Sequence, residues 1–446
     1  MGLSRWKNRS AIVPRVAGTF SPLREALGFD ARELTPLLVG RVTVAAAESR
    51  SFKRAAIVVD RVGGQAVSTK TIERVVHDVG GELAARRDAD PKTADSLARL
   101  PESPPELAVV ECDGGRIRTR EPGHGPGVHF PEKGWSESKN ACLIRASPTV
   151  SDHDPQPEPP ACFCDPKHVA KVAETQALSV ASATPESSIK PSREKDSEPE
   201  LEPESAGRVS KADWRPKRLV RTVLGSIACS KDFGKQMDRE AKRRRFGEAK
   251  IKAFLGDGLP WNWSIQKTHF KEYTPILDFT HVLSYLFIAA KAVHDSAQDA
   301  WDQYLVWMRG AWQGEIAQVL DELRHWQMKQ GDAPKGTADQ DPRVILATTI
   351  TYLENNQDRM KYPEYRQAGM PVTTAWMESL VKEMNYRVKG TEMFWNNPEG
   401  AEAILQVRAA TLCDDERLDN HLGTRTGCPF TRRPILPKVP REKIKS

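Results

Sequence analysis

The sequence predicts an α/β protein in which a helical segment precedes a set of strands and an all-helical insertion follows them. Three observations carry that prediction. Short apolar and β-branched runs at 107–112, 139–145, 250–255 and 273–277 have strand length. Two of them run into an acidic turn, Asp113-Gly114-Gly115 and Asp257-Gly258. Between the last strand and the C-terminal third, apolar residues at 301, 304, 305, 308, 312, 316, 319, 320, 323 and 326 keep a three-to-four spacing, the period of an amphipathic helix.

The elements follow in order. Ser21-Pro22 starts a short amphipathic piece, and 32–47 carries a second helix. Residues 51–62 and 69–79 read as a helix pair joined by Gly63-Gly64-Gln65-Ala66-Val67. Ser68 serves as N-cap, and Ile72, Val75 and Val76 form the apolar face. That pattern fits a helix-turn-helix with Lys70, Thr71, Arg74 and His77 facing outward, or an ordinary helical hairpin. Leu107 to Cys112 is the first strand. The alternating 116–120 is read as a second strand after a Gly114-Gly115 turn, and 139–145 as a third. The stretch 147–205 is rich in Pro, Ser, Glu and Asp. Within it 168–175 has helical character, and 179–205 lacks the apolar content to fold. Residues 236–250 are read as helix, 250–255 as the fourth strand and 273–277 as the fifth. Helices follow at 280–294, through the insertion, at 342–357, at 374–388 and at 398–411.

Composition sets bounds on function. A chain of 446 residues has room for two or three domains. The longest apolar run, 282–293, is too short for a membrane span and contains Ser284 and Lys291. The basic residues 1–9 lack the apolar segment of a secretory signal, so a cytoplasmic protein with no membrane partner is expected. Seven cysteines (112, 142, 162, 164, 229, 413 and 428) form no Cys-x-x-Cys pair, which supports neither a zinc ribbon nor a disulfide framework. The net charge of +6 is uneven: 208–252 holds 15 Lys/Arg against 5 Asp/Glu, and 432–445 holds 6 against 1. Basic blocks of this kind suit a polyanion partner or a solvated face.

The candidate chemistry rests on carboxylates. Asp113 and Asp257 end strand candidates, and Glu378 lies on the 374–388 helix. Singly, an Asp-Gly pair is most often a turn and a helical Glu most often faces solvent. Together, on rigid elements, they suit Mg²⁺ or Mn²⁺, which take hard oxygen ligands. Two such ions about 3.5–4 Å apart activate the nucleophile and neutralise the transition state of phosphodiester cleavage. Trp261, Trp263, Trp301, Trp307, Trp312, Trp326, Trp376 and Trp395 crowd the second half. Most are expected in the core, with Trp376 and Trp395 the choices for stacking on an unpaired base. Arg387 and Lys389, then Arg359 and Arg366, are candidates for phosphate contacts.

At these residues the chain resembles bacterial insertion-sequence transposases of the DDE type, related to the Mutator-like group. The stretches that carry the resemblance are ECDGGRIRTRE with GWSESK, FLGDGLPWNW with ILDFTHVLSYL, and YRQAGMPVTTAWMESLVKEMNYRVKGTEMFW with ILQVRAA. They span roughly residues 20–415. The resemblance implies an RNase H-like catalytic core, a mixed five-stranded sheet with helices, interrupted by an all-α insertion before the Glu. The family's acidic residues fall on Asp113, Asp257 and Glu378, and its Asp/Cys-x-x-His signature falls on Asp278 and His281, with Asp278 the rival second ligand. Such enzymes cut DNA at terminal inverted repeats with two metal ions and join the 3′-hydroxyl to target DNA, working as homo-oligomers on the nucleoid.

This chain departs from the pattern in lacking paired cysteines near its start and in having Thr-Thr-Ala before Trp376. The implied organisation is a helical, DNA-binding 1–84; a linker 85–106; core segments 107–146 and 208–296 around a low-complexity 147–207; the insertion 297–360; the Glu-bearing part 361–415; and a basic tail 416–446. The alternatives are a catalytically inactive DNA-binding derivative of such an enzyme and an RNase H-like nuclease without strand transfer.

Overall fold

The computed structural model describes residues 11–12, 19–20, 34–89, 103–120, 136–181, 214–389 and 394–425. It contains a five-stranded sheet of β1 (Leu107–Ile117), β2 (Ser136–Ser147), β3 (Lys217–Ser226), β4 (Ile251–Gly256) and β5 (Thr274–Leu277), in the order β3-β2-β1-β4-β5. The first three strands are antiparallel neighbours, and β4 and β5 run parallel to β1. The helices are α1 (Pro36–Glu48), α2 (Phe52–Arg61), α3 (Thr69–Asp88), α4 (Pro166–Ala181), α5 (Ser230–Arg243), α6 (Pro260–His269) and α7 (Phe279–Val293). They continue with α8 (Ala297–Trp312), α9 (Ile316–Gln330), α10 (Pro342–Asn356), α11 (Tyr362–Gln367), α12 (Ala375–Val388), α13 (Pro398–Thr411) and α14 (Arg417–Thr424). A two-residue ladder pairs Ala11–Ile12 with Thr19–Phe20. No helix among the described residues is long and apolar enough to cross a membrane.

The chain divides into two compact units. One comprises Met1–Ala89, Arg118–Gly125 and Glu383–Ser446, the other Asp90–Ile117 and Pro126–Lys382. In the first, α1, α2 and α3 each start on a side-chain cap from Thr35, Ser51 or Ser68. The face Ile72, Val75, Val76 and Val79 of α3 is buried, and α3 packs against α13. The contact is close, since a Cβ on Gly80 would meet the Ala403 carbonyl oxygen at 2.2 Å. The residues 383–411, expected with the catalytic core, thus belong to the N-terminal helical unit.

The second unit is the sheet and its helices. Leu107 to Cys112 of β1 is wholly buried, as a central strand with a neighbour on each edge requires. The expected turn at Gly114-Gly115 does not form. Both glycines continue β1, paired with Lys139 and Ser138 of β2, and of the expected 116–120 strand Arg116 and Ile117 are the end of the same strand, 118–120 lying beyond it. Gly115 is there because β2 passes so closely that a Cβ would lie 2.8 Å from the Ser138 hydroxyl. The strand β3 was not expected. Its basic residues disguise an apolar set, Val223 and Leu224, that is buried while Lys217 and Arg218 stay exposed on this edge strand.

The stretch 147–181 is folded, against the expectation of a loose linker. Phe163, Val169 and Ala173 are buried, Phe163 packs on Phe279 and Trp312, and Tyr304 of α8 donates to the Phe163 carbonyl at 3.0 Å. The helix α3 also runs on to Asp88, into the expected linker. The residues 182–213 and most of the linker, 90–102, lie outside the described residues, as do the expected piece at Ser21-Pro22 and the tail beyond 425. The segment 297–356 is helical: α8 and α9 carry the spacing read from the sequence, α10 falls on the helix expected at 342–357, and α8 and α10 pack on α7.

Candidate active site

Strand register brings the carboxylates together. β1 and β4 pair in parallel from Leu107↔Ile251 to Glu111↔Leu255, and β4 and β5 from Ala253↔Thr274 to Gly256↔Leu277. Carried past the last pairs, the same register sets Asp113 opposite Asp257, and Asp257 opposite Asp278. The Asp278 amide donates to the Gly256 carbonyl at 3.0 Å, which extends the ladder to that point. The chain then leaves the sheet in two helices. Gly258, at φ +100°, turns it into α6, and a Cβ there would meet the Tyr352 ring at 2.5 Å. Asp278 caps α7.

The two aspartates of the rival pair differ in how they are held. Oδ1 of Asp257 accepts from the Leu259 amide at 3.0 Å and from Asn262 Nδ2 at 2.6 Å, and its other oxygen makes no hydrogen bond within the described residues. Asn262 is fully buried, and its Oδ1 faces the Cys112 thiol at 3.4 Å. Tyr352 of α10, stacked on Tyr285, donates to the Asp257 carbonyl at 2.8 Å, so α10 buttresses this position. Asp278 is fully buried with both oxygens engaged. Oδ1 takes the Thr280 amide (3.3 Å) and the Thr374 amide (3.0 Å), and Oδ2 takes the Thr280 hydroxyl (2.5 Å) and His281 Nδ1 (2.6 Å). Asp278 therefore ties the start of α7 to the residue just before α12.

Charge in the cluster is unbalanced. Burial, then the Asp257 charge, pushes the Asp113 carboxyl up to about 7. Burial raises Asp257 as well. At Asp278 burial works the other way but is outweighed by the bonds from His281, Thr280 and the Thr374 amide, so it stays a carboxylate. Burial opposes charging His281 too, yet the bond to Asp278 and the charges of Asp278, Asp257 and Asp113 push it up to about 9. Glu378, on the first turn of α12, is 3.4 Å from the Thr280 hydroxyl, and partial burial and then the Asp278 charge raise its carboxyl. Glu111, fully buried on β1, is held well above the usual carboxylate range by burial and by the Asp278 and Glu378 charges. Neither of its oxygens makes a hydrogen bond of ordinary geometry, the Met377 amide being the polar group that faces it.

All five residues of the expected constellation thus meet in one unit. Asp113 and Asp257 form one side of the cluster, Glu378 sits by Asp278, and His281 is shared. Hard-oxygen chemistry fits the first pair: two adjacent carboxyls raise each other, and one keeps an oxygen unengaged. Glu378 does not complete a ready cage, and among the described residues no group of three or more His, Cys, Asp or Glu side chains is disposed to hold a metal ion.

Three neighbours escaped the sequence reading. Asn262 lies within the FLGDGLPWNW stretch but carries no expected role there, and Tyr352 lies in no motif. Gln176 of α4, in the segment expected to be loose, donates to the Thr280 hydroxyl at 3.0 Å, lies 3.4 Å from His281 Nδ1 and accepts from Ser284. Beside Asp113, the Trp261 ring is 3.9 Å from a Cβ position on Gly114, and the Lys139 ammonium stands 5.7 Å from the centre of that ring.

The expected DNA contacts divide. Lys70, Arg74 and Lys389 are exposed, Lys70 pairing with Glu73 at 2.9 Å. Thr71 is half-buried and shares its hydroxyl with the Ser68 cap at 2.9 Å. Trp376 is half-buried. Arg387 is not a surface phosphate contact. It is 1% exposed, its guanidinium lies over the Phe52 and Trp395 rings, and Nε donates to the Ala46 carbonyl. Trp395 is no free stacking platform either, being mostly buried, edge-on to Phe52, with Nε1 donating to the Val388 carbonyl. Arg366 is fully buried on Asp154 and Trp312, and Arg359 lies over Trp263 and donates to the Asn355 carbonyl. The weaker phosphate candidates are thus structural. A scan against protein-family models finds no match to this chain, and a search of curated proteins finds none.

Proposed function

We propose that the chain is a metal-dependent DNA transposase of the DDE type, related to the Mutator-like insertion-sequence group, with an RNase H-like core. It would cut at terminal inverted repeats and transfer the 3′-hydroxyl into target DNA. The observation that carries this reading is the register of β1, β4 and β5, which sets Asp113, inside β1, level with Asp257 and Asp278, just past the ends of β4 and β5, with Glu378 reaching the cluster from α12. Asp113 and Asp257 would hold Mg²⁺ or Mn²⁺, with Glu378 drawn in from α12 as third ligand only when the ion binds. The ion would supply charge neutralisation at phosphorus and acidify the attacking water or hydroxyl.

The protein's own part is positional. Asn262 and the Leu259 amide fix one oxygen of Asp257 and leave the other for a ligand. Asp278, with no oxygen to spare, is the lesser candidate for second ligand. It holds His281 and, through the Thr374 amide, the helix that bears Glu378. The His281 imidazolium offsets part of the negative charge until a cation does so. Trp261 offers a ring beside Asp113 for the approaching strand, and Lys139, buried and paired with Glu137 at 3.0 Å, backs that ring. In the first step water attacks phosphorus and the 3′-oxygen leaves. In the second that 3′-oxygen attacks a target phosphodiester and displaces its bridging oxygen.

The test uses duplexes carrying the inverted repeats that bracket the gene, with Mg²⁺ or Mn²⁺. The wild type nicks at the repeat end and joins it to a second duplex. Asp113→Asn, Asp257→Asn and Glu378→Gln bind the ends but do not cut. Cutting that survives these substitutions, or metal-independent cutting, sinks the proposal.

A further inference from the structure

The helical unit contains a cavity of about 660 Å³ that the catalytic reading does not use. It is lined by α3, the start of α2, Arg387 near the end of α12, and the segment Phe394–Asn397 that leads into α13. Its size falls in the range of small-molecule sites, about 300–1,000 Å³.

Its chemistry is specific. Phe52 and Trp395 give it an aromatic wall, and Arg387 lies against both rings at 4.7 and 5.3 Å from their centres. The Arg387 guanidinium is buried, yet its Nη2 finds no acceptor among the described residues. A buried N–H group of this kind, left unsatisfied, is destabilising and asks for a partner. The nearby Arg408 shows the contrast: it pairs with Glu48 and donates to the carbonyls of Ala47 and Glu383. Burial and the Arg408 charge lower the Arg387 guanidinium to about 10, which is the environment of a cation short of an anion. A second cation on the wall, Arg74, is exposed and has no ion pair among the described residues. The acids of the wall are engaged: Glu73 takes Lys70, and Asp78 has its own partner.

We propose that this cavity receives one unpaired nucleotide of a DNA strand, its phosphate met by Arg387 and Arg74 and its base laid against the half-buried Phe52 ring, with Trp395 closing the wall behind it. An aromatic wall suits the flat base, and two cations without carboxylate partners suit the anion. A duplex interior offers no such unit, because its bases are stacked and paired, so the site selects single strands, frayed ends or flipped bases. The proposal that the occupant comes from DNA rests on the function proposed above. The cavity and its unmatched cations do not.

The test is anisotropy of a dye-labelled single strand of about eight nucleotides. It is compared with the blunt duplex and with strands carrying abasic positions, which keep the phosphates and remove bases. The wild type binds the single strand more tightly than the duplex. Arg74→Ala and fully abasic strands each weaken binding roughly fivefold or more, and Arg387→Gln roughly tenfold or more. Arg74 is exposed, so its variant remains informative if Arg387→Gln fails to fold. Equal binding of intact and abasic strands, or no effect of Arg74→Ala, overturns the proposal. Free deoxyadenosine monophosphate that displaces the strand at micromolar concentration assigns the cavity to a free nucleotide and overturns its DNA form. Metal-dependent cutting, measured on the same preparations, separates the two readings. Nucleotide binding without cutting counts against the function above, and cutting with no effect of Arg74 or of the bases counts against the cavity.

Discussion

Replacing Asp113 by Asn is expected to stabilise the metal-free protein while abolishing its chemistry. The Asp113 carboxyl, at 3.8 in its ordinary state, is pushed up to about 7 by burial and by Asp257. Between those values the folded protein holds a proton that the unfolded chain has released. Stability therefore falls as pH rises through this window and stays low above it. The shift corresponds to at most roughly 4 kcal/mol against the charged form. Asp113 is only partly enclosed and titrates together with Asp257, so about 1–3 kcal/mol is the realistic gain for the neutral amide. The assay is thermal or denaturant unfolding in chelator at pH 4 and pH 8. Asp113→Asn should melt above the wild type at pH 8, and the difference should vanish toward pH 4. Adding Mg²⁺ should raise the wild type and leave the variant unmoved, because ligand binding stabilises only the state that binds. A variant less stable than wild type at pH 8, or a difference independent of pH, would refute the electrostatic account of the cluster.

Other outcomes follow from the same geometry. Asn262→Ala removes the 2.6 Å bond that orients Asp257, and should cut the rate of strand cleavage roughly 10–100-fold in a protein that still folds, as loss of an outer partner to a metal ligand does. Arg366→Ala strips the partner from Asp154 and leaves a void over Trp312, and should destabilise the sheet unit by about 3–5 kcal/mol in denaturant unfolding. In the helical unit, hydrogen bonds from His421 and Arg425 outweigh burial and hold Glu82 down at about 2. Its contribution is present above the ordinary carboxylate value of 4.5 and is lost as pH falls toward 2, so Glu82→Gln should lower the melting temperature at pH 7 and converge with wild type in strong acid.

Much of this arrangement was legible from the chain alone, for identifiable reasons. The helices α8, α9 and α13 could be read because their apolar residues keep helical spacing on long segments. The Asp113 and Asp257 positions could be read because each ends an apolar run of strand length. Whether they meet is a matter of register, and register is set by pairing between segments far apart in sequence. Glycine misled at 114 and 115, where a pair that usually marks a turn instead lets β2 lie close. Proline misled at 147–165, where an extended, Pro-rich and largely solvent-facing stretch is pinned by anchors at Phe163 and Trp214, the latter donating from Nε1 to Gln156. Arg366 and Arg387 misled because a cation in a sequence gives no sign of whether it will face solvent or stack on a buried ring. Asn262, Tyr352 and Gln176 were invisible because their roles exist only once distant elements are side by side.

The most direct test of the central claim is anomalous diffraction from crystals of the protein grown with Mn²⁺. The account predicts a peak within coordination distance of both Asp113 and the unengaged oxygen of Asp257, absent in Asp113→Asn crystals. A Mn²⁺ peak bound elsewhere, with the two aspartates bare, would contradict it.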